Sequence, residues 1–279
     1  MKFILWLIFG LLLGPSVLAI KSPEWFNGAS QAAGGIFLFL AGWEMRFLNL
    51  YPDRKFYLLA FVGSFVVPAV TGWVVFQNFF MAMAMGISAL PITIQLLKEK
   101  GLYATSLARR SITLASLCDI GAWLALVWLL PAESVGAWVL SHWIVLAFFV
   151  GLLLGRIIEW PTQKSFLIHA QTWILAPLFF LGLGWKIDLW RLFDLKSFLT
   201  VFILAVATKS VGSYVFSRWA GANHKDSWNL AAILNARGAM EILAANFAYD
   251  AGLISGPLFS ALVLLGILTA VMAVPLVRK

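Results

Sequence analysis

The chain has 279 residues, 62% of them hydrophobic and 11% charged, with a formal charge of +8 and a mean hydropathy of +0.92. Soluble domains carry about 25% charged residues, so this is the composition of a polytopic membrane protein with nothing left over for a soluble enzyme domain. One cysteine and three scattered histidines exclude a disulfide framework and a Cys/His metal cluster, and the basic residues form no aromatic-interleaved patch for nucleic acid.

Ten apolar segments follow one another: 3–20, 31–48, 56–76, 80–97, 111–130, 136–156, 170–188, 198–217, 228–248 and 254–276. Each approaches the roughly 20 residues that an α-helix needs to cross about 30 Å of hydrocarbon, so the fold class is all-α polytopic membrane protein with the lipid bilayer as its solvent. Short polar loops separate the segments, among them Lys21-Ser22-Pro23-Glu24, Tyr51-Pro52-Asp53-Arg54-Lys55, Lys98-Glu99-Lys100-Gly101, Pro131-Ala132-Glu133-Ser134 and Asn223-His224-Lys225-Asp226. Met1-Lys2 with the following apolar run and Ser16-Val17-Leu18-Ala19 has the form of a signal peptide. The even segment count and the internal repeat favour an uncleaved first helix instead. When the Lys and Arg residues are assigned to alternate sides of ten crossings, fourteen fall on the N-terminal side. Four (Lys21, Lys186, Arg191, Lys196) fall opposite, and Lys209 and Arg237 lie inside segments. The positive-inside rule then predicts both termini in the cytoplasm of a multi-pass inner-membrane protein.

The chain repeats itself. Gly10-Leu11-Leu12-Leu13-Gly14 recurs as Gly151-Leu152-Leu153-Leu154-Gly155, 141 residues on, and the run Phe37 to Met45 has a counterpart from Phe179 to Ile187, 142 residues on. The expectation is two five-helix repeats, 1–133 and 134–279, in a single membrane domain. Five crossings is an odd number, so the second repeat is inverted. Inverted repeats mark secondary transporters with a site near the midplane.

Polar residues inside the segments are the candidates for chemistry. Asp119 lies in the fifth segment beside Cys118; an intramembrane carboxylate costs roughly 2.5–3.5 kcal/mol on insertion scales and reads as an ion or proton site. The fourth segment contains Gly86, Ser88, Pro91, Thr93 and Gln95. Pro91 removes a helix hydrogen bond, which reads either as a kink or as a break whose free carbonyls and hydroxyls hold a cation. Lys209 in the eighth segment is too deep to reach an interface and needs an anion, for which Asp119 and Glu241 are the candidates. The ninth segment holds Asn235, Arg237, Gly238 and Glu241; Arg237 and Glu241, four residues apart, share a helix face and can pair. Adding 142 to Gln95 gives Arg237, which places polar groups at matching points of the two repeats. Arg109 and Arg110 read as topogenic charges, and Glu44, Arg46 and Lys186 as interfacial ones.

These stretches resemble the monovalent cation:proton antiporter superfamily, and within it the sodium/hydrogen exchanger branch that includes the Kef-type proteins. The resemblance rests on Gly14-Pro15-Ser16-Val17-Leu18, on Phe39-Leu40-Ala41-Gly42-Trp43-Glu44-Met45, and on the run from Leu175 to Gly184. It continues in Asn235 to Glu241, Leu253-Ile254-Ser255 and Leu258 to Val263, covering the chain in family order. It implies an elevator-type exchanger of Na+, K+ or Li+ for protons, in which helices 4 and 9 are broken and cross. By resemblance Asp119 is the transport aspartate (the site of the transported metal cation), Lys209 the family's lysine, and Arg237 and Glu241 part of its Arg-Gly helix. Asp119, Cys118, Ser88 and Thr93 form the expected ion and proton site, with Lys209, Arg237, Glu241 and Asn235 as coupling or structural charges and polar groups. No cofactor is implied; the partners are a monovalent cation, the proton and a second copy in a homodimer. Two departures stand out. Many members have thirteen helices where this chain reads as ten, a shortened form that touches the family's dimer interface. Cys118 replaces the Asp or Asn that usually precedes the transport aspartate. Those departures motivate another reading, a non-transporting or partner-dependent membrane subunit or sensor. A third is an organic-anion transporter on the same inverted-repeat plan, with Arg237 and Lys209 binding the anion.

Overall fold

A computed structural model describes residues 2–44, 53–129, 135–157 and 170–278. Met45, Arg46, Tyr51, Pro52, the loop Pro131-Ala132-Glu133-Ser134 with the expected repeat boundary, and Lys164 lie outside the described residues. Every described element is helical, and no strand occurs among them. Among the described residues three helices are by themselves long and apolar enough to cross a membrane: Arg54–Phe76, Leu195–Trp219 and Gly256–Leu276. The other predicted segments are shorter, broken or carry polar residues within the helix.

The helices in chain order are α1 (Lys2–Leu13), α2 (Glu24–Glu44), α3 (Arg54–Phe76), α4 (Phe79–Gly86), α5 (Leu90–Glu99), α6 (Ser106–Leu129) and α7 (Val135–Ile157). They continue with α8 (Ala176–Lys186), the single turn α9 (Leu189–Leu192), α10 (Leu195–Trp219), α11 (His224–Leu234), α12 (Ala239–Asp250) and α13 (Gly256–Leu276). A π-turn, Val62–Val66, interrupts α3, and another, Gln171–Leu175, leads into α8. The chain forms two compact units, Met1–Phe47 with Pro131–Leu192, and Leu48–Leu130 with Phe193–Lys279. Each draws on both halves of the sequence.

In the first unit α1 packs on α8 and α2 on α7. Both contacts are backbone against backbone. A Cβ added at Gly10 would strike the main chain of Leu181 and Trp185, and one at Gly151 would strike that of Phe39 and Trp43. From the other side, a Cβ at Gly184 would meet Leu7 and Leu11, and one at Gly42 would meet Phe148 and Leu152. Shifting each residue by 141 or 142 turns one contact into the other. Small residues at such crossings let helices reach the close packing that drives association where no water is available to expel. The first segment ends earlier than predicted because Pro15 cannot extend α1. Its Ser16 hydroxyl donates to the Ile187 carbonyl at 2.8 Å and accepts from the Leu189 amide at 2.9 Å, fastening the end of α1 to the end of α8. The second helix begins at Glu24, well ahead of the apolar run.

The second unit contains the full-length spans α3, α10 and α13 and two helices that stop and restart. At Pro91 a continuous helix would lack an N–H and would press the ring on the carbonyl four residues back. The chain instead leaves α4 at Gly86, runs extended through Ile87 and Ala89, and restarts as α5. In the ninth segment α11 stops at Leu234 and α12 restarts after Gly238, whose φ of 168° is extended backbone. The two breaks meet: the Ala89 amide donates to the Ala236 carbonyl at 3.0 Å, and the Ser88 hydroxyl donates to the Leu234 carbonyl at 3.0 Å. Beside them the α3 π-turn brings Gly63 against Gly212 of α10, main chain to main chain. Arg110, expected to be only topogenic, donates to Asp53 at 2.9 and 3.2 Å and covers the Phe56 ring, so it ties the start of α6 to the start of α3.

Candidate functional site

Breaking a helix leaves carbonyls without donors at one end and amides without acceptors at the other, with partial charges of about −0.5 and +0.5. In a membrane interior these groups cannot turn to bulk water. The residues from Ala84 to Leu90 satisfy them with three fully buried charged side chains. Arg237 donates from Nη1 to the Ala84 carbonyl at 2.7 Å and from Nη2 to the Met85 carbonyl at 2.5 Å. Lys209 Nζ donates to the Gly86 carbonyl at 2.5 Å and the Ile87 carbonyl at 2.8 Å. Asp119 accepts from the Ser88 amide at 3.3 Å and the Leu90 amide at 3.2 Å, one on each carboxylate oxygen. Two cations therefore cover the negative end of α4, and a carboxylate covers the positive end of α5. All three side chains have no solvent exposure.

The structure brings most of the expected residues together. Arg237 and Glu241 form the expected i,i+4 pair, Nη1 to Oε1 at 2.8 Å, with neither side chain exposed. Ser88 lies at the crossing, its amide facing Asp119 and its hydroxyl committed to Leu234. Cys118 is fully buried, with Sγ 3.6 Å from Ser64 Oγ in the π-turn of α3. Asn235 donates from Nδ2 to Ser210 Oγ at 2.5 Å and the Val206 carbonyl at 3.3 Å, binding the end of α11 to α10. Thr93 is buried one turn into α5, and its hydroxyl has no hydrogen-bond partner among the described residues.

Three expectations are corrected. Lys209 pairs with neither Asp119 nor Glu241; its partners are main-chain carbonyls. Those carbonyls, expected as cation ligands, are occupied by Lys209 and Arg237. Gln95 does not match Arg237 in place, since its amide bonds Glu99 at 2.8 Å, away from the crossing. Ser64 and Ser210 were not singled out from the sequence. The only signal for Ser64 was a hydroxyl beside Gly63 in mid-span, which is common in membrane helices.

The model of the family described as sodium/hydrogen exchanger, transmembrane, matches residues 2–168 and 144–279. The chain belongs to the sodium/hydrogen exchanger family. It is 26% identical to the Na(+)/H(+) antiporter NhaS4 of Synechocystis, over 98% of this chain and 89% of that protein. It is 22% identical to the Na(+)/H(+)-K(+) antiporter GerN of Bacillus cereus, over 98% and 88%. Among solved structures it resembles the sodium proton antiporter MjNhaP1 of Methanocaldococcus jannaschii, with a TM-score of 0.58 at 14% identity, covering 99% of this chain and 89% of that one. That likeness concerns the fold. Together these findings make the chain a multi-pass membrane protein of an antiporter family, a transporter class rather than an enzyme.

Proposed function

We propose that this exchanger-family member carries a monovalent cation, Na+, K+ or Li+, in exchange for protons, with Asp119 as the group on which the two compete. The observation that carries the reading is the Asp119 carboxylate, wholly buried at the junction of the two broken helices and held by the Ser88 and Leu90 amides. A carboxylate there costs too much to be ornamental. Proton and cation neutralise it equally, so either loaded form crosses with the same charge. With one carboxylate exchanging its ligand and Cys118 neutral beside it, the exchange is close to electroneutral. The cation's remaining ligands are proposed to come from the α5 side, where Ser88 and Thr93 are buried, because the α4 carbonyls are committed.

The reciprocal glycine contacts and the two crossing breaks support reading the chain as ten helices in two inverted repeats, 1–133 and 134–279. The division into two compact units, one holding every candidate site residue, supports elevator-type alternating access. Alignment with NhaS4 extends over 371 positions against 279 residues here, which supports a shortened member. Cytoplasmic termini, an inner-membrane location, a Kef-type affiliation and a homodimer complete the proposal. The commitment of Arg237 and Lys209 to carbonyls weighs against the organic-anion reading.

The test is purified protein in proteoliposomes with a trapped pH dye, challenged with Na+, K+ and Li+. Cation-dependent proton flux is expected from the wild type and none from Asp119→Asn. Full flux from Asp119→Asn would overturn the site, and no flux from the wild type with any cation would favour the partner-dependent subunit.

A further inference from the structure

Glu241 is a buried acidic group at the crossing that the proposed exchange does not use. It stands on the first turn of α12 with no solvent exposure. One oxygen holds Arg237; the other, Oε2, has no hydrogen-bond partner among the described residues. Arg237 does not need this carboxylate to be hydrogen-bonded, since two carbonyls of α4 already receive it. The chain of contacts along Ala84 to Leu90 puts Arg237 with Glu241, then Lys209, then Asp119 in succession on one short stretch of backbone.

Among the described residues the charged groups that face this stretch are Asp119 of α6, Lys209 of α10, Arg237 in the break before α12 and Glu241 on its first turn; the thiol of Cys118 is the remaining titratable group. Against the Arg237 and Lys209 side chains, taken as cations, the end of α4 offers about half a negative charge. Asp119 supplies a full one only until it is loaded. On these charges the loaded crossing carries about +0.5 with Glu241 and about +1.5 without it, so losing Glu241 disfavours the bound cation. The Arg237 guanidinium and the start of α12 both face the Glu241 carboxylate.

We propose that Glu241 is the second carboxylate of the ion site, supplied from α12 across the crossing rather than from the helix of Asp119, and that it sets the cation affinity of Asp119. It is a positioning residue that acts through charge, and the proposal rests on Asp119 being the site of exchange. At an effective dielectric constant of about 20, losing a unit charge that acts from about 12 Å weakens cation binding on the order of tenfold.

The experiment titrates Na+ and K+ separately in the proteoliposome assay with wild type, Asp119→Asn, Glu241→Gln and Glu241→Asp. Glu241→Gln is expected to raise KM roughly tenfold, with a much smaller change in maximal rate, while Glu241→Asp stays within about twofold of wild-type KM. An unchanged KM in Glu241→Gln, or an equal rise in Glu241→Asp, overturns the inference. Should Glu241→Gln fail to purify as a monodisperse protein, Glu241→Asp decides: KM within twofold supports it and a tenfold rise overturns it. Loss of flux in Asp119→Asn establishes the underlying site in the same series, and retained flux there counts against that site instead.

Discussion

Arg237→Met isolates what holds the crossing together. The guanidinium makes three hydrogen bonds, to the carbonyls of Ala84 and Met85 and to Glu241. Methionine fills much of the same volume but donates nothing. The substitution leaves Glu241 as a fully buried carboxylate without its cation, and breaking a buried pair in this way costs about 3–5 kcal/mol. The two released carbonyls add to that, less whatever water reaches them. In Arg237→Met/Glu241→Met the stranded carboxylate is gone and only the carbonyls remain unsatisfied, so the double variant should regain about half or more of the loss. The assay is unfolding of the detergent-solubilised protein followed by the intrinsic fluorescence of its 14 tryptophans. A single variant within about 1 kcal/mol of wild type would show that the pair carries no weight at the crossing. A double variant less stable than the single would show that the carbonyl contacts matter more than the charge.

Glycine substitutions should separate close approach from mere composition. Gly212→Ala presses a methyl into the Gly63 backbone and should cost about 1–3 kcal/mol, whereas Gly28→Ala meets nothing within 4 Å on the exposed side of α2 and should stabilise by roughly 0.5–1 kcal/mol in the same unfolding assay. Cys118→Asp places a further carboxylate directly beside Asp119, and proteoliposome exchange that ignores an imposed potential in the wild type should become driven by it; equal voltage sensitivity in both would contradict the scheme in which Asp119 alone exchanges its ligand.

Uninterrupted helices were legible in the sequence. The segments 198–217 and 254–276 differ from α10 and α13 by only a few residues because nothing inside them competes with hydrophobic burial. The start of α2 was not legible: Asn27, Ser30 and Gln31 dilute its hydropathy, yet Ser30 is buried inside the first unit. The breaks were legible as kinds of residue, Pro91 and Gly238, but their register was not. The first half of the second broken helix has 11 residues and that of the first has 8, so a constant offset of 142 slides past the crossing and pairs Gln95 with Arg237 wrongly. The expected Arg237–Glu241 pair formed although Arg237 stands in the break just ahead of α12 and Glu241 on its first turn, because the two are only four residues apart. The partners of Lys209 were illegible for a different reason. A carbonyl belongs to every residue, so no letter in the sequence announces that the end of α4 will act as an anion.

That last point gives Cys118 its physical meaning. A lysine sunk in a membrane must find negative charge, and the position before Asp119 offers only a thiol, itself 3.6 Å from Ser64. The broken helix provides the substitute: two carbonyls at the negative end of α4, fixed in place by the fold and unable to take up a proton. A lysine paired with a carboxylate loses its partner whenever that carboxylate is neutralised. A lysine seated on carbonyls keeps its partners whether Asp119 holds a proton, a cation or neither. Loading at Asp119 therefore need not rearrange Lys209, and the ligand exchange is confined to the face of the crossing where the Ser88 and Leu90 amides point. Substituting the lysine and substituting the aspartate should accordingly have separable effects, the first on the stability of the break and the second on whether anything is exchanged there.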